Sequence, residues 1–121
     1  MSNKILVVDD SPADLQNIKS IVSNAGHTVI TASSGKEAIS KAKEMRPDMI
    51  FMDVIMENTD GFEACREIVS DRDTKNIPIV FVSSKCQKAD RVWAELQGGK
   101  ALVGKPYTEA EIVEQIDTYG I

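Results

Sequence analysis

Five short apolar runs, separated by stretches with a different period, constrain this chain more than any other feature. They are Lys4–Val8 (KILVV), Thr28–Ala32 (TVITA), Met49–Met52 (MIFM), Ile79–Val82 (IVFV) and Ala101–Val103 (ALV). A strand with one wet face alternates apolar and polar residues. A run that stays apolar suits a strand buried on both faces, as in a parallel sheet. The stretches between have the spacing of helices. Leu15, Ile18 and Val22 recur with Ile21 and Ala25, and Ala38, Ile39, Ala42 and Met45 follow. Phe62, Cys65, Ile68 and Val69 mark a third stretch, Val92, Trp93 and Leu96 a fourth, and Ile112, Val113, Ile116 and Tyr119 a fifth.

The punctuation agrees with this division. Ser11-Pro12 puts a capping hydroxyl before a proline at the first helical position. Gly26 stops the first helix, Arg46-Pro47-Asp48 separates the second helix from the third strand, and Thr108-x-x-Glu111 reads as a capping box. Gly98-Gly99 reads as the stop of the fourth helix, with a hinge as the sharper alternative. The expected fold is α/β, a (βα)5 doubly wound parallel sheet with helices on both faces, joined by right-handed crossovers. At 121 residues the chain fits one domain, expected over residues 1–121.

Composition excludes several roles. A net charge of -5 without a basic cluster argues against binding nucleic acid through its phosphates. No apolar run approaches the ~20 residues that cross a bilayer, so no membrane insertion is expected. The chain opens directly on a strand pattern, which predicts no signal peptide and a cytoplasmic location. Cys65 and Cys86 have neither C-x-x-C nor metal-ligand spacing and read as a buried helix thiol and a loop thiol.

In an open parallel sheet, ligands bind beyond the carboxyl ends of the strands. Asp9 and Asp10 follow the first strand, Asp53 ends the third, Ser83 and Ser84 follow the fourth, and Lys105-Pro106 follows the fifth. Only Ser33-Ser34-Gly35, a helix cap, follows the second. Carboxylates about 4 Å apart repel by about 1 kcal/mol in water and about 4 kcal/mol at an effective dielectric of about 20, so such a trio calls for a cation. Oxygen ligands favour Mg2+, which takes one or two carboxylates together with a phosphate. With Lys105 as a point charge and Ser83 as a hydroxyl, the set reads as a phosphoryl site in which one carboxylate is the nucleophile.

The segments ILVVDDS, MIFMDVIM with DGFE, IPIVFVSSK and GKP resemble the response-regulator receiver family, of the CheY type, over essentially the whole chain. The resemblance implies a flavodoxin-like strand order 2-1-3-4-5, with the second strand at the margin. It implies that Asp53 is the phosphoacceptor. Asp10 would bind Mg2+ directly, Asp9 through water or by orienting it, and the backbone carbonyl of Ile55 would be a further ligand. Ser83 and Lys105 would contact the phosphoryl group, and Lys105-Pro106 would be a cis peptide. Ile55 and Lys85 would flank the path of attacking water. The stretch SSKCQKADRVWAELQGGKALVGKP is similar to the small receivers of type IV pilus chemosensory systems, the PilH and PilG kind. That implies twitching motility or a chemotaxis-like output, a CheA-like histidine kinase as phosphodonor, and a target bound through the face of the fourth helix, fifth strand and fifth helix. It also implies a monomer that carries out only its own phosphotransfer and dephosphorylation.

Two positions depart from the family pattern. Glu57 stands where a proline is usual, four residues after the acceptor, and Leu102 stands where an aromatic is usual, three residues before the lysine. Other readings compete. Asp9 and Asp10 also suit a helix N-terminus, Lys105 a snorkelling lysine, and His27 a plain turn residue. Trp93 is expected to pack, partly buried, with a partner contact as the alternative. Tyr107 and Tyr119 read as surface-edge residues. An Asp-nucleophile phosphatase of the haloacid-dehalogenase type would instead need D-x-D after the first strand. A flavin-binding module would need a phosphate-cradling loop in place of Asp9-Asp10. A phosphate sink that drains the kinase needs the same residues as a signalling receiver.

Overall fold

A computed structural model of the chain describes residues 2–56 and 60–121, so Glu57 lies outside the described residues. The order is β1 (Lys4–Val8), α1 (Pro12–Asn24), β2 (Thr28–Ala32), α2 (Gly35–Met45) and β3 (Met49–Asp53), followed by α3 (Gly61–Ser70), β4 (Ile79–Ser83), α4 (Lys88–Leu96), β5 (Ala101–Gly104) and α5 (Glu109–Tyr119). The strands form one parallel sheet of order β2-β1-β3-β4-β5. β3, β4 and β5 each run one residue beyond the apolar run that announced them, so Asp53 and Ser83 are themselves the last residues of their strands.

Continuous apolar runs become central strands because both faces of the sheet are covered. Every residue of β3 and β4 is buried, whereas the marginal β2 is mostly half-buried. Successive residues serve opposite cores. Leu6, Ile50, Met52 and Phe81 pack under α2, α3 and α4 with Ala38, Ala64, Cys65, Ile68 and Ala94. Ile5, Val7, Phe51, Val80 and Val82 pack under α1 and α5 with Ile18, Val22, Ile112 and Ile116. Each of the Val, Leu, Ile, Phe and Met side chains among them contributes about 1.5–3 kcal/mol on burial. Leu102 belongs to the first of these cores and is buried.

The caps act as the residue types suggest. The Ser11 hydroxyl accepts from the Asp14 N–H, with Pro12 in the first turn, and Ser34 and Asp60 cap α2 and α3 through Glu37 N–H and Glu63 N–H. Thr108 and Glu111 form the capping box of α5. Gly26 takes a positive φ of 94° after α1. Cys65 is buried on α3, and Cys86 is half-buried between β4 and α4.

Helix α4 corrects one expectation. Trp93 is 54% exposed rather than packed, and Val92 and Leu96 beside it are 49% and 68% exposed. The buried residue of α4 is Ala94. This small side chain lets the helix sit close to the sheet, and the turn that follows is closer still. A β-carbon on Gly99 would stand 2.4 Å from the Phe81 ring, and one on Gly98 would stand 2.9 Å from Val69. Gly98 has φ 103°, the left-handed conformation of a helix stop, and neither glycine has room for a side chain.

Candidate functional site

Strand register gathers the site. Val8 pairs with Met52, so the residues that follow, Asp9 and Asp53, end adjacent strands at one level. Ser83 pairs with Gly104 and so stands one step from Lys105. Asp9, Asp10 and Asp53 offer carboxylate oxygens that all lie within 4.8 Å of one another. Asp9 and Asp53 are buried while Asp10 is exposed. The Lys105 ammonium lies 3.4 Å from Asp53 Oδ1 and 3.2 Å from Asp9 Oδ2. Five of the predicted site side chains thus sit at one edge of the sheet, and the Lys105-Pro106 peptide is cis.

Local structure explains how each group is aimed. Asp9 Oδ1 accepts from the Ser11 N–H at 2.9 Å, which fixes the turn from β1 into α1. The buried Ser83 hydroxyl accepts from the Lys85 N–H at 3.0 Å. The end of β3 is held by Gly61, whose N–H donates to the Val54 carbonyl at 2.7 Å. A β-carbon on Gly61 would come within 2.1 Å of the Asp53 carbonyl oxygen, so only glycine lets α3 begin there. Ile55 is 56% exposed and Lys85 is also exposed, both next to the site in sequence.

Burial is the main reason that the Asp53 carboxyl is pushed up from 3.8 to about 6, and the Asp9 charge adds to it while Lys105 opposes it. For Lys105, burial disfavours the ammonium. The hydrogen bond to Asp14 and the charges of Asp53 and Asp9 outweigh it, so its pKa ends above the ordinary lysine range. The Cys65 thiol is pushed to about 12 by burial and is not a nucleophile at neutral pH.

Sequence reasoning missed one participant. Asp14 Oδ2 lies 3.1 Å from Lys105 Nζ. Its only sequence signal is an acid in the first turn of a helix, which the macrodipole favours in any case. His27 is not near this edge: its Nδ1 accepts from the Asn3 N–H at 2.9 Å, the structural role expected of it. Tyr107 and Tyr119 are half-buried, and the Tyr107 hydroxyl accepts from Asn17 at 3.2 Å.

Three carboxylates offer hard oxygens within reach of one ion, and a half-exposed edge leaves room for the water that Mg2+ retains. The residues present fit the ion.

A doubly wound sheet of this order, with an acidic pocket and a lysine at its carboxyl edge, defines a receiver domain of two-component signalling. Residues 5–117 match the family described as Response regulator receiver domain, and the chain belongs to it. It is 33% identical to Protein PilH of Pseudomonas aeruginosa over 114 residues, 94% of each chain. The chemotaxis protein CheY4 of Vibrio cholerae superposes with a TM-score of 0.92 at 27% identity, over 98% of this chain and 99% of that one. The receiver domain of the sensor histidine kinase PA1611 of Pseudomonas aeruginosa superposes with a TM-score of 0.90 at 26% identity, over 98% of both chains, and holds a magnesium ion in its active site cleft. Among the described residues no helix is long and apolar enough to cross a membrane.

Proposed function

We propose that the chain accepts a phosphoryl group from a CheA-like histidine kinase on Asp53 and signals through altered protein binding in a pilus-motility or chemotaxis-like pathway. The observation that carries this is the Lys105 ammonium 3.4 Å from Asp53 Oδ1, with oxygens of the Asp9 and Asp10 carboxylates within 4.8 Å of one from Asp53. One Asp53 oxygen attacks phosphorus, the bond from phosphorus to the donor nitrogen breaks, and a mixed anhydride forms. Lys105 draws charge from the phosphoryl oxygens, and the Ser83 hydroxyl holds one of them. Asp10, Asp9, Asp53 and the Ile55 carbonyl would hold Mg2+. The ion supplies neutralisation of the charge that builds on the transferring group. With its pKa at about 6, Asp53 is mostly ionised at neutral pH and can act as a nucleophile. Ile55 and Lys85 screen the attack of water on the product.

The relative PilH supports a pilus-motility pathway. The face of α4, β5 and α5 is the proposed target surface, because Val92, Trp93 and Leu96 stand exposed on it. The signal reaches α4 through the segment 84–88, since Leu102 is already buried and has no hydroxyl to move. The experiment is intact-mass spectrometry after treatment with acetyl phosphate and Mg2+. One phosphoryl group is expected on the parent and none on Asp53→Asn. Equal labelling of both sinks the assignment.

A further inference from the structure

We propose that Asp14 is a positioning residue for Lys105: it shares the ammonium with Asp53 and Asp9 in the resting protein, and the incoming phosphoryl group must draw the ammonium away from it. The consequence for phosphoryl chemistry rests on the phosphoacceptor reading above. Three carboxylates face Lys105 Nζ: Asp14 of α1 at 3.1 Å, Asp9 after β1 at 3.2 Å and Asp53 of β3 at 3.4 Å. An ammonium has three N–H donors. Two are committed to hydrogen bonds with Asp9 and Asp14. The third is left for Asp53, at 3.4 Å.

The local chain explains why the Asp14 carboxylate is available. An acid three residues after an N-cap ordinarily reaches back to the N-cap amide. Here the Ser11 N–H is taken by Asp9 Oδ1 at 2.9 Å, and the Asp14 carboxylate turns outward to a lysine 91 residues away. A carboxylate that served only the helix dipole would need no partner on another element. The two side chains also line one open cleft of about 310 Å3, with Asn17, Pro106 and Tyr107.

The three contacts differ in how easily they are broken. The Asp9 side chain is 1% exposed and that of Asp53 is 9% exposed, whereas the Asp14 side chain is 46% exposed. A carboxylate that water can solvate releases its partner at little cost. A phosphoryl group carrying about two negative charges therefore takes Lys105 from Asp14 first. Asp14 thus sets how readily the ammonium is handed to the phosphoryl group, without touching that group itself.

Two measurements on the full chain test this. In metal-free protein, the Lys105 side-chain ammonium signal is followed by NMR. Asp14→Asn is expected to shift it, and Asp14→Glu to leave it near the parent position, while backbone amide signals distant from the site stay in place. In the second arm, beryllofluoride is titrated at saturating Mg2+ with Trp93 fluorescence as the readout. Asp14→Asn is expected to bind about two- to fivefold more tightly than the parent, the range that a half-exposed ion pair can supply. Asp14→Glu should restore parent affinity, which general damage to the fold would not allow. An unmoved Lys105 signal, or an Asp14→Asn affinity equal to or weaker than that of the parent, overturns the proposal. A parent that fails to bind beryllofluoride overturns the phosphoacceptor reading, and the role of Asp14 in releasing Lys105 falls with it. A parent that binds while Asp14→Asn is unchanged removes Asp14 alone.

Discussion

The two ends of the sheet solve opposite problems. At the amino end, polar groups are matched one to one. Asn3 donates its N–H to His27 Nδ1, accepts from the Thr28 N–H through its carbonyl and from the Ile121 N–H through Oδ1, at 2.9, 2.9 and 2.7 Å. Lys4 N–H donates to Asp48 Oδ2 at 2.8 Å, and Asp48 N–H returns to the Lys4 carbonyl at 2.7 Å. These bonds tie both chain ends and two loops to the strands. At the carboxyl end, Asp9, Asp10 and Asp53 crowd together, and Asp9 and Asp53 share Lys105 with Asp14. Like charges facing each other at a half-buried edge destabilise the fold, and a cation relieves that repulsion. One end contributes stability, and the other gives some of it up so that ligands have something to complete.

The comparison is sharpest in its dependence on pH. An unfolded Asp53 titrates near 3.8 and the folded one at about 6, so the unfolded chain loses its proton first as pH rises. The contribution of Asp53 to stability is full below about pH 4, falls between about pH 4 and 6, and stays lower above that. Asp53→Asn removes this loss. In metal-free protein at pH 7 the variant is expected to be more stable than the parent by up to about 3 kcal/mol, with the gain gone below about pH 4. Urea unfolding at the two pH values measures it, and equal stability at pH 7 would mean that the carboxyl edge carries no such cost.

Mg2+ binding is the next largest effect. Asp10 is the exposed member of the trio, and it adds charge without paying for burial. Asp10→Ala is expected to weaken Mg2+ affinity at least about tenfold, or about 1.4 kcal/mol, and more than Asp9→Ala does. Calorimetric titration checks this, and parent-like binding by Asp10→Ala would contradict it. The smallest effect belongs to the other end. Asn3→Ala leaves the Ile121 N–H without its partner and should cost about 1 kcal/mol of stability. Mg2+ and beryllofluoride affinities should stay the same. A change in either affinity would show that the two ends are coupled, against the division drawn above.

Much of the molecule was legible before any coordinates. Continuous apolar runs declared a parallel sheet, Ser11-Pro12 and Thr108-x-x-Glu111 declared two helix starts, and the residues after each run declared the edge where ligands bind. These signals are local, since each depends on the backbone period or on hydrogen bonds that close within a few residues. The motif Asp60-Gly61 was legible as part of a familiar segment. Its physical reason, the close approach of α3 to the Asp53 carbonyl, was not.

The sequence by itself determined the (βα)5 order and the set of polar residues at one edge, because strand and helix periods and caps are properties of neighbours along the chain. Tertiary structure decided which stripe of α4 faces inward. A 3.6-residue period says that Val92, Trp93 and Leu96 share a side, but only packing into the core with Phe81 shows that Ala94 takes the inner one. Tertiary structure also brought Asp14 to Lys105, across 91 residues of chain. Such a contact depends on where two separate elements dock, and nothing in either local stretch records it.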